Sequence, residues 1–236
     1  MARRLFFVDS VHSGRAEICG EEARHLTRVL RVEPGQRYEI SDNRSLYLAE
    51  VSSARKEHVE FRVLEKLAAP PPGPDLILCA ALFKFDHFEW MIEKATELGV
   101  TRIIPFAAAR SEKGLDRGAA KRAERWRRIA VESSQQCRRH RLPEIQAPVA
   151  FQSALHTAAD LRLFFDEEPG APLVSAALAP FQSAAALIGP EGGWTDTERE
   201  QAAAAGWKPV SLARHILRAE TAAIAALAVL GSFHPE

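Results

Sequence analysis

Leu187-Ile188-Gly189-Pro190-Glu191-Gly192-Gly193-Trp194 and, further on, Val210-Ser211-Leu212-Ala213-Arg214-His215-Ile216-Leu217-Arg218-Ala219-Glu220-Thr221-Ala222 share one plan. Each is a short apolar run that stops at a loop of small or charged residues and leads into a helix-like stretch. Ala184 to Ile188 reads as a buried strand. Gly189, Gly192 and Gly193 then let the backbone bend freely and let a ligand approach it closely. Thr195 is placed to cap the following helix, with Glu198 three residues on to complete a capping box. Val210 to Leu212 is strand-like, Arg214 to Arg218 is a charged loop, and Ala219 to Leu230 is an alanine-rich apolar helix expected to be buried on most of its circumference. Strand ends that open into helix starts are where open α/β sheets bind ligands.

Upstream the pattern is the same. Leu76 to Leu82 is a continuous apolar run, as a strand buried on both faces requires. Phe88, Met91, Ile92, Ala95 and Leu98 recur at helical spacing, and Gly99 stops that helix. Arg102 to Phe106 and Leu161 to Phe165 are further strands. Alternating strands and helices predict an α/β fold built on a parallel sheet.

Before residue 70 the texture differs. Short strand-like runs at Leu5–Val8, Tyr38–Ile40, Leu46–Val51 and His58–Val63 surround one amphipathic segment, Glu21 to Leu30. This predicts a small β-barrel carrying one helix. Pro70-Pro71-Pro72-Gly73-Pro74 continues neither strand nor helix. The reading is therefore a β-domain over 1–70, a linker at 71–74 and an α/β domain over 75–236.

Composition narrows the class. Of 236 residues, 47% are hydrophobic and 26% charged, which is globular. Lys and Arg total 31, as do Asp and Glu, so a nucleic-acid site has to be a local patch. Cys19, Cys79 and Cys137 are far apart and odd in number, which argues against a disulfide framework or a zinc site and fits a reducing cytoplasm. Met1-Ala2-Arg3-Arg4 is followed by no long apolar stretch, and no segment reaches the length of a membrane span. Between Lys121 and Arg141 lie seven arginines and one lysine: Lys121, Arg122, Arg125, Arg127, Arg128, Arg138, Arg139 and Arg141. Trp126, Ile129, Ala130, Ser133 and Cys137 line the opposite face. Such a run is ordinarily a solvated face, but arginine forks suit phosphates and stack on bases.

Gly189-Pro190-Glu191-Gly192-Gly193 followed by Ile216-Leu217-Arg218-Ala219-Glu220-Thr221-Ala222 resembles the ribosomal RNA small subunit methyltransferase E family. Lys84 with Glu93 to Val100, and Trp126 to Ala130 running to Arg139, match its pattern as well. One departure is Ala213, where the family pattern has a glycine. The resemblance implies a SPOUT-type parallel sheet with a C-terminal trefoil knot, preceded by a PUA-like RNA-binding β-barrel. It also implies methyl transfer from S-adenosyl-L-methionine to uracil N3 in 16S ribosomal RNA of the small subunit, by a cytoplasmic homodimer that uses no metal.

On that resemblance, Ile188, Gly189, Glu191, Gly192, Leu212, Ile216, Leu217 and Ala219 are expected at the cofactor. Arg4, Arg31, Arg125, Arg128, Arg138 and Arg139 are expected on RNA. Uracil N3 holds a proton at neutral pH, so a positioned base helps the transfer. Arg218 is placed to hold a uracil carbonyl or a phosphate, and Glu220 either to take the proton or to orient Arg218. Two other readings stay open: a related enzyme acting on another RNA or atom, such as a tRNA ribose hydroxyl, and a non-catalytic RNA-binding assembly protein.

Overall fold

The computed structural model describes residues 4–71, 73–168 and 170–233. Met1 to Arg3 and the linker residue Pro72 lie outside the described residues. The chain divides into two compact units, residues 1–71 with 134–142 and residues 72–133 with 143–236. Residues 134–142, which the sequence reading assigned to the second domain, group with the first unit.

The first unit contains β1 (Leu5–Phe7), β2 (Arg15–Cys19), α1 (Gly20–Arg28), β3 (Arg37–Ser41), β4 (Leu46–Arg55) and β5 (His58–Leu67). Its strands pair in the order β1-β3-β4-β5-β2, antiparallel except for β1 with β3. Register shifts at Leu48/Ala49 and Val51/Ser53 bend β4 against β5, as bulges do. The result is a curled sheet rather than a closed barrel, because among the described residues β1 and β2 do not pair. Phe6, Ile18, Leu26, Ile40, Val59 and Phe61 form its core. Strand β2 has alternating burial, yet polar Arg15 and Glu17 hid it from a search for apolar runs.

The second unit holds β6 (Asp75–Ala81), α2 (Phe85–Glu97), β7 (Arg102–Ala107), α3 (Leu115–Cys137), β8 (Glu144–Ile145), β9 (Val149–Ala150), α4 (Phe151–Leu155), β10 (Leu161–Phe165), α5 (Val174–Ala177), β11 (Ser183–Ile188), α6 (Asp196–Ala204), β12 (Lys208–Val210) and α7 (Ala219–Ser232). The last residues of α3 fall in the segment that groups with the first unit. The sheet is seven-stranded and parallel, in the order β12-β10-β11-β6-β7-β8, with β9 also on β7. Strand β12 begins and ends two residues earlier than the apolar pattern Val210 to Leu212 predicts, because Lys208 and Pro209 pair with Leu163 and Phe164 at the sheet edge. Proline is tolerated at an edge because it lacks only a ladder donor.

The unbroken apolar runs have a structural cause. Leu76, Leu78 and Ala80 pack on one face with Phe88, Trp126 and Leu227. Ile77, Cys79 and Ala81 pack on the other with Phe106, Trp194 and Trp207. Both faces are covered by helices, so Leu76 to Ala81 are apolar throughout. Helix α7 is covered over most of its circumference, as its apolar sequence predicts. Ala219, Glu220, Ala223, Ala226, Leu227 and Leu230 form its buried stripe, while Ile224, Ala225 and Val229 are only partly covered and Ala228 is exposed. No helix among the described residues is long and apolar enough to cross a membrane.

Cys79 is sealed in this core, and burial pushes its thiol up to about 11, partly offset by a 3.4 Å hydrogen bond with Thr157. Cys19 is exposed. Ellman's reagent at pH 8 is therefore expected to titrate Cys19 within minutes and Cys79 only after unfolding in guanidinium. Prompt reaction of Cys79 in the native protein would mean that this face of the sheet opens.

Candidate functional site

The carboxyl ends of four neighbouring strands, β12, β10, β11 and β6, surround a cleft of ≈ 890 Å³. Its walls come from the segments that follow them: Lys84 and His87 after β6, Asp166 to Glu168 with Gly170, Ala171 and Leu173 after β10, Gly189 to Glu191 with Gly193 after β11, and Ser211 to Arg218 after β12. This is the place where a parallel sheet exposes backbone donors and diverging loops to a ligand.

The glycine loop is held from beneath. Trp194 is buried, and its indole N–H donates to the Phe165 carbonyl at 2.9 Å. Its ring packs against Phe164, Phe106 and Phe151. A Cβ on Gly189 would lie 2.8 Å from that ring, so only glycine lets the strand pass over the indole. Gly193 has φ +70 and sits against the Glu167 carboxylate. Thr195 and Glu198 form the expected capping box at the start of α6. Glu198 also accepts from the Ala109 N–H at 2.9 Å, which ties the loop after β11 to the loop after β7.

The other walls are fixed in kind. Asp166 is buried at the end of β10 and holds Arg199 through two hydrogen bonds, 2.8 and 3.1 Å. The Asp166 carboxylate keeps the Arg199 guanidinium above its ordinary range, so this charge is permanent. The loop after β12 is pinned where Ser211 donates to the Pro172 carbonyl and accepts from the Val174 N–H, both at 2.8 Å. Beyond that point Ala213 to Ile216 are exposed, Ile216 at 81%. Ala213 is not among the residues with positive φ, so alanine fits this turn without strain. Arg218 is the N-cap residue of α7 and offers no side-chain cap, leaving the first N–H groups of that helix without a side-chain acceptor from it.

Sequence-derived candidates fall into place unevenly. Ile188, Gly189, Glu191, Leu212, Ile216, Leu217, Ala219 and Arg218 all line the cleft. Gly192 does not. Its carbonyl accepts from Arg110 at 3.2 Å, and a Cβ there would meet the Arg110 backbone, so it serves loop packing. Glu220 is also absent from the walls. It sits one helical step inward, 5% exposed, with its Oε1 3.2 Å from His87 Nδ1. His87 is the residue that reaches the cleft. Glu191, His87 and Glu220 bring ligand-type atoms within 4.8 Å of one another.

The arginines proposed for RNA divide between the units. In the first, Arg4 and Arg31 are exposed, Arg138 is bound to Glu39 by two 2.8 Å hydrogen bonds, and burial pushes Arg139 below its ordinary range. In the second, Arg128 is exposed, whereas Arg125 and Arg122 hold Glu89 at 2.8 and 2.7 Å. Arg125 thus already serves packing between α2 and α3.

Sequence reading missed His87 and the acidic triplet Asp166-Glu167-Glu168. Both lie just beyond the carboxyl end of a strand it had identified. That position was the available signal.

A family model described as an RNA methyltransferase domain matches residues 70–231, and one described as an RNA methyltransferase PUA domain matches residues 18–64. The chain belongs to this RNA methyltransferase family. Among the family's curated members, the ribosomal RNA small subunit methyltransferase E of Synechocystis is 33% identical, with 98% of this chain and 78% of that protein covered. That of Bacillus subtilis is 33% identical over 90% of this chain and 88% of that protein. In structure, the ribosomal RNA small subunit methyltransferase E of Neisseria gonorrhoeae, bound to S-adenosyl methionine, superposes with a TM-score of 0.88 at 27% identity, covering 97% and 96% of the two chains. A putative methyltransferase of Legionella pneumophila in complex with the same cofactor gives 0.89 at 27% identity, covering 98% and 97%.

Gly189→Ala is expected to lower stability by roughly 1–3 kcal/mol through overpacking against the indole. Urea unfolding followed by far-UV circular dichroism measures the loss, with or without Trp194 present. In the double variant with Trp194→Phe, part of the Gly189→Ala penalty should disappear, since the clashing atoms belong to the indole. Full additivity of the two costs would separate the residues energetically.

Proposed function

We propose that this protein transfers a methyl group from S-adenosyl-L-methionine to N3 of a uridine in 16S ribosomal RNA of the small subunit. The observation that carries the reading is the cleft itself, which the glycine loop after β11 and the Ser211 to Arg218 loop both line at the carboxyl edge of the sheet. The names of the relatives and the cofactor in two structural neighbours support it.

The residues fit such a donor. Ile188, Leu212, Leu217 and Ala219 supply apolar wall for an adenine ring, and Ile216 stands exposed at the rim to cover it. Missing Cβ atoms at Gly189 and Gly193 keep the backbone close, and Glu191 with Glu167 and Glu168 place negative charge beside a cationic ligand. S-adenosyl-L-methionine supplies an activated methyl group on a sulfonium. Arg218 holds a uracil carbonyl or a flanking phosphate and stabilises the negative charge that grows on the ring.

Several finer features belong to this reading. The chain comprises a PUA-like RNA-binding domain over 1–70, with which 134–142 groups, a linker at 71–74 and a SPOUT domain over the rest of 75–236, whose C-terminal segment is knotted. The exposed guanidiniums of Arg4, Arg31 and Arg128 meet RNA phosphates, and Arg138 and Arg139 lie on the same unit as the first two. The partly covered face of α7, with Ile224, Ala225 and Val229, is the surface of a homodimer. The enzyme works in the cytoplasm, on nascent or mature small subunits.

The deciding experiment is transfer of label from S-adenosyl-L-methionine to small subunits from cells lacking this protein, followed by nucleoside analysis. 3-Methyluridine is the expected product, and Arg218→Ala should reduce its formation at least 100-fold while changing the Kd for the methyl donor less than about threefold. Label in any other nucleoside would move the assignment to a different RNA or atom.

A further inference from the structure

The proton on uracil N3 needs an acceptor, and Glu220 is the carboxylate that the sequence offered. The structure withdraws it. Glu220 is 5% exposed and lies behind His87. Burying a carboxylate in α7 among Ala219, Ala223 and the core of the sheet is costly unless a partner compensates it. The partner is the imidazole. His87 Nδ1 lies 3.2 Å from Glu220 Oε1, close enough for an ion pair but out of line for a hydrogen bond. Among the described residues, the buried side-chain atoms left without a hydrogen-bond partner are His87 Nδ1, Glu220 Oε2, Trp126 Nε1 and Ser134 Oγ. The first two belong to neighbouring side chains, His87 on the cleft wall and Glu220 behind it, with Nδ1 3.2 Å from the other carboxylate oxygen, Oε1. Unpaired buried polar groups are rare, and an imidazole and a carboxylate in contact yet incompletely paired beside a binding cleft mark a site that tightens when it is used.

We propose that His87 is the proton acceptor for this chain's methyl transfer and that Glu220 is its positioning residue; the proposal rests on the functional reading above. With Nδ1 turned inward to Glu220, Nε2 is left on the outer side, 3.8 Å from the exposed Asp86 carboxylate. A small rotation of the ring aligns Nδ1–H with Glu220, which fixes the tautomer whose Nε2 carries a free lone pair. As the methyl carbon leaves the sulfonium and bonds to N3, the S–C bond breaks to give a neutral thioether. The N3–H proton passes to His87 Nε2, and the resulting imidazolium is stabilised by Glu220. No further reactant is required. Solvent reclaims the proton after release.

The charged groups that share this end of the cleft define the setting. Lys84 and Asp86 belong to the start of α2, Glu191 to the loop after β11, Arg214, His215 and Arg218 to the loop after β12, and Glu220 to α7. His215 is exposed on the opposite wall and has no carboxylate within ion-pair distance among the described residues, so it lacks the backing that His87 has.

The test has two independent arms. The first is single-turnover formation of 3-methyluridine against pH, with the methyl donor saturating. In the wild type the rate should rise with pH and then level off. In His87→Gln the rate at neutral pH should fall by about 10²–10⁴-fold and climb with pH without levelling, because solvent hydroxide then takes the proton. Glu220→Gln should retain the plateau but lower it. An unchanged profile in His87→Gln, with wild-type product still 3-methyluridine, would overturn the dyad and leave the functional reading standing. A wild type that makes no 3-methyluridine would instead remove the functional reading.

The second arm needs no substrate. 15N spectra of the imidazole in the unliganded protein should show the Nδ1–H form in the wild type and a tautomer mixture in Glu220→Gln. Identical spectra would overturn the positioning role. Recovery of a stoichiometric divalent ion with the purified protein, lost in His87→Gln, would also overturn the proposal, because an Nδ1 that binds a metal with Glu191 and Glu220 cannot donate a proton to Glu220.

Discussion

The contact on which the site depends is the indole of Trp194 beneath Gly189. A strand end can open into a ligand loop only if something holds that loop to the sheet. Here one side chain does so three ways: it fills the layer between Phe106 and Phe164, it donates to the end of β10 at Phe165, and it leaves no room for any side chain at Gly189. The ends of β10 and β11 are thereby locked at one height. The capping box of Thr195 and Glu198, with its reach to Ala109, extends the same fixation to β7. Binding loops placed this way are positioned by the core rather than by their own short-range structure.

The two cleft loops are built for different tasks. The glycine loop is buttressed by the indole, the capping box and Arg110, and it closes off the start of α6. The loop after β12 is anchored at Ser211 and then runs exposed to Arg218, where α7 begins without a side-chain cap. A rigid wall and a looser one in the same cleft leave it room to adjust to what enters.

Electrostatics sorts the arginines by what they are already doing. Arg122 and Arg125 share the nearly buried Glu89, Arg138 holds Glu39 and Arg199 holds Asp166. Each of these guanidiniums offsets the cost of a carboxylate withdrawn from water. Arg4, Arg31 and Arg128 are exposed. A basic run in a sequence thus mixes packing residues with ligand residues, and only the partners distinguish them.

The sequence by itself determined the parallel sheet, because strands covered on both faces must be apolar throughout, as Leu76 to Leu82 is. It determined the cleft loops too, because Gly189, Gly193 and the Thr195–Glu198 pair are local backbone requirements that any fold must meet at those positions. Only the tertiary structure decided which side chains of those loops face the ligand. Gly192 turns to Arg110, and Glu220 faces the core behind His87, since the phase of α7 is set by packing against α2 and the sheet. It alone decided that β2 completes the first sheet and that 134–142 packs with that unit. Those outcomes rest on contacts between residues distant in the chain, such as Arg138 with Glu39, and no local pattern encodes such a pairing.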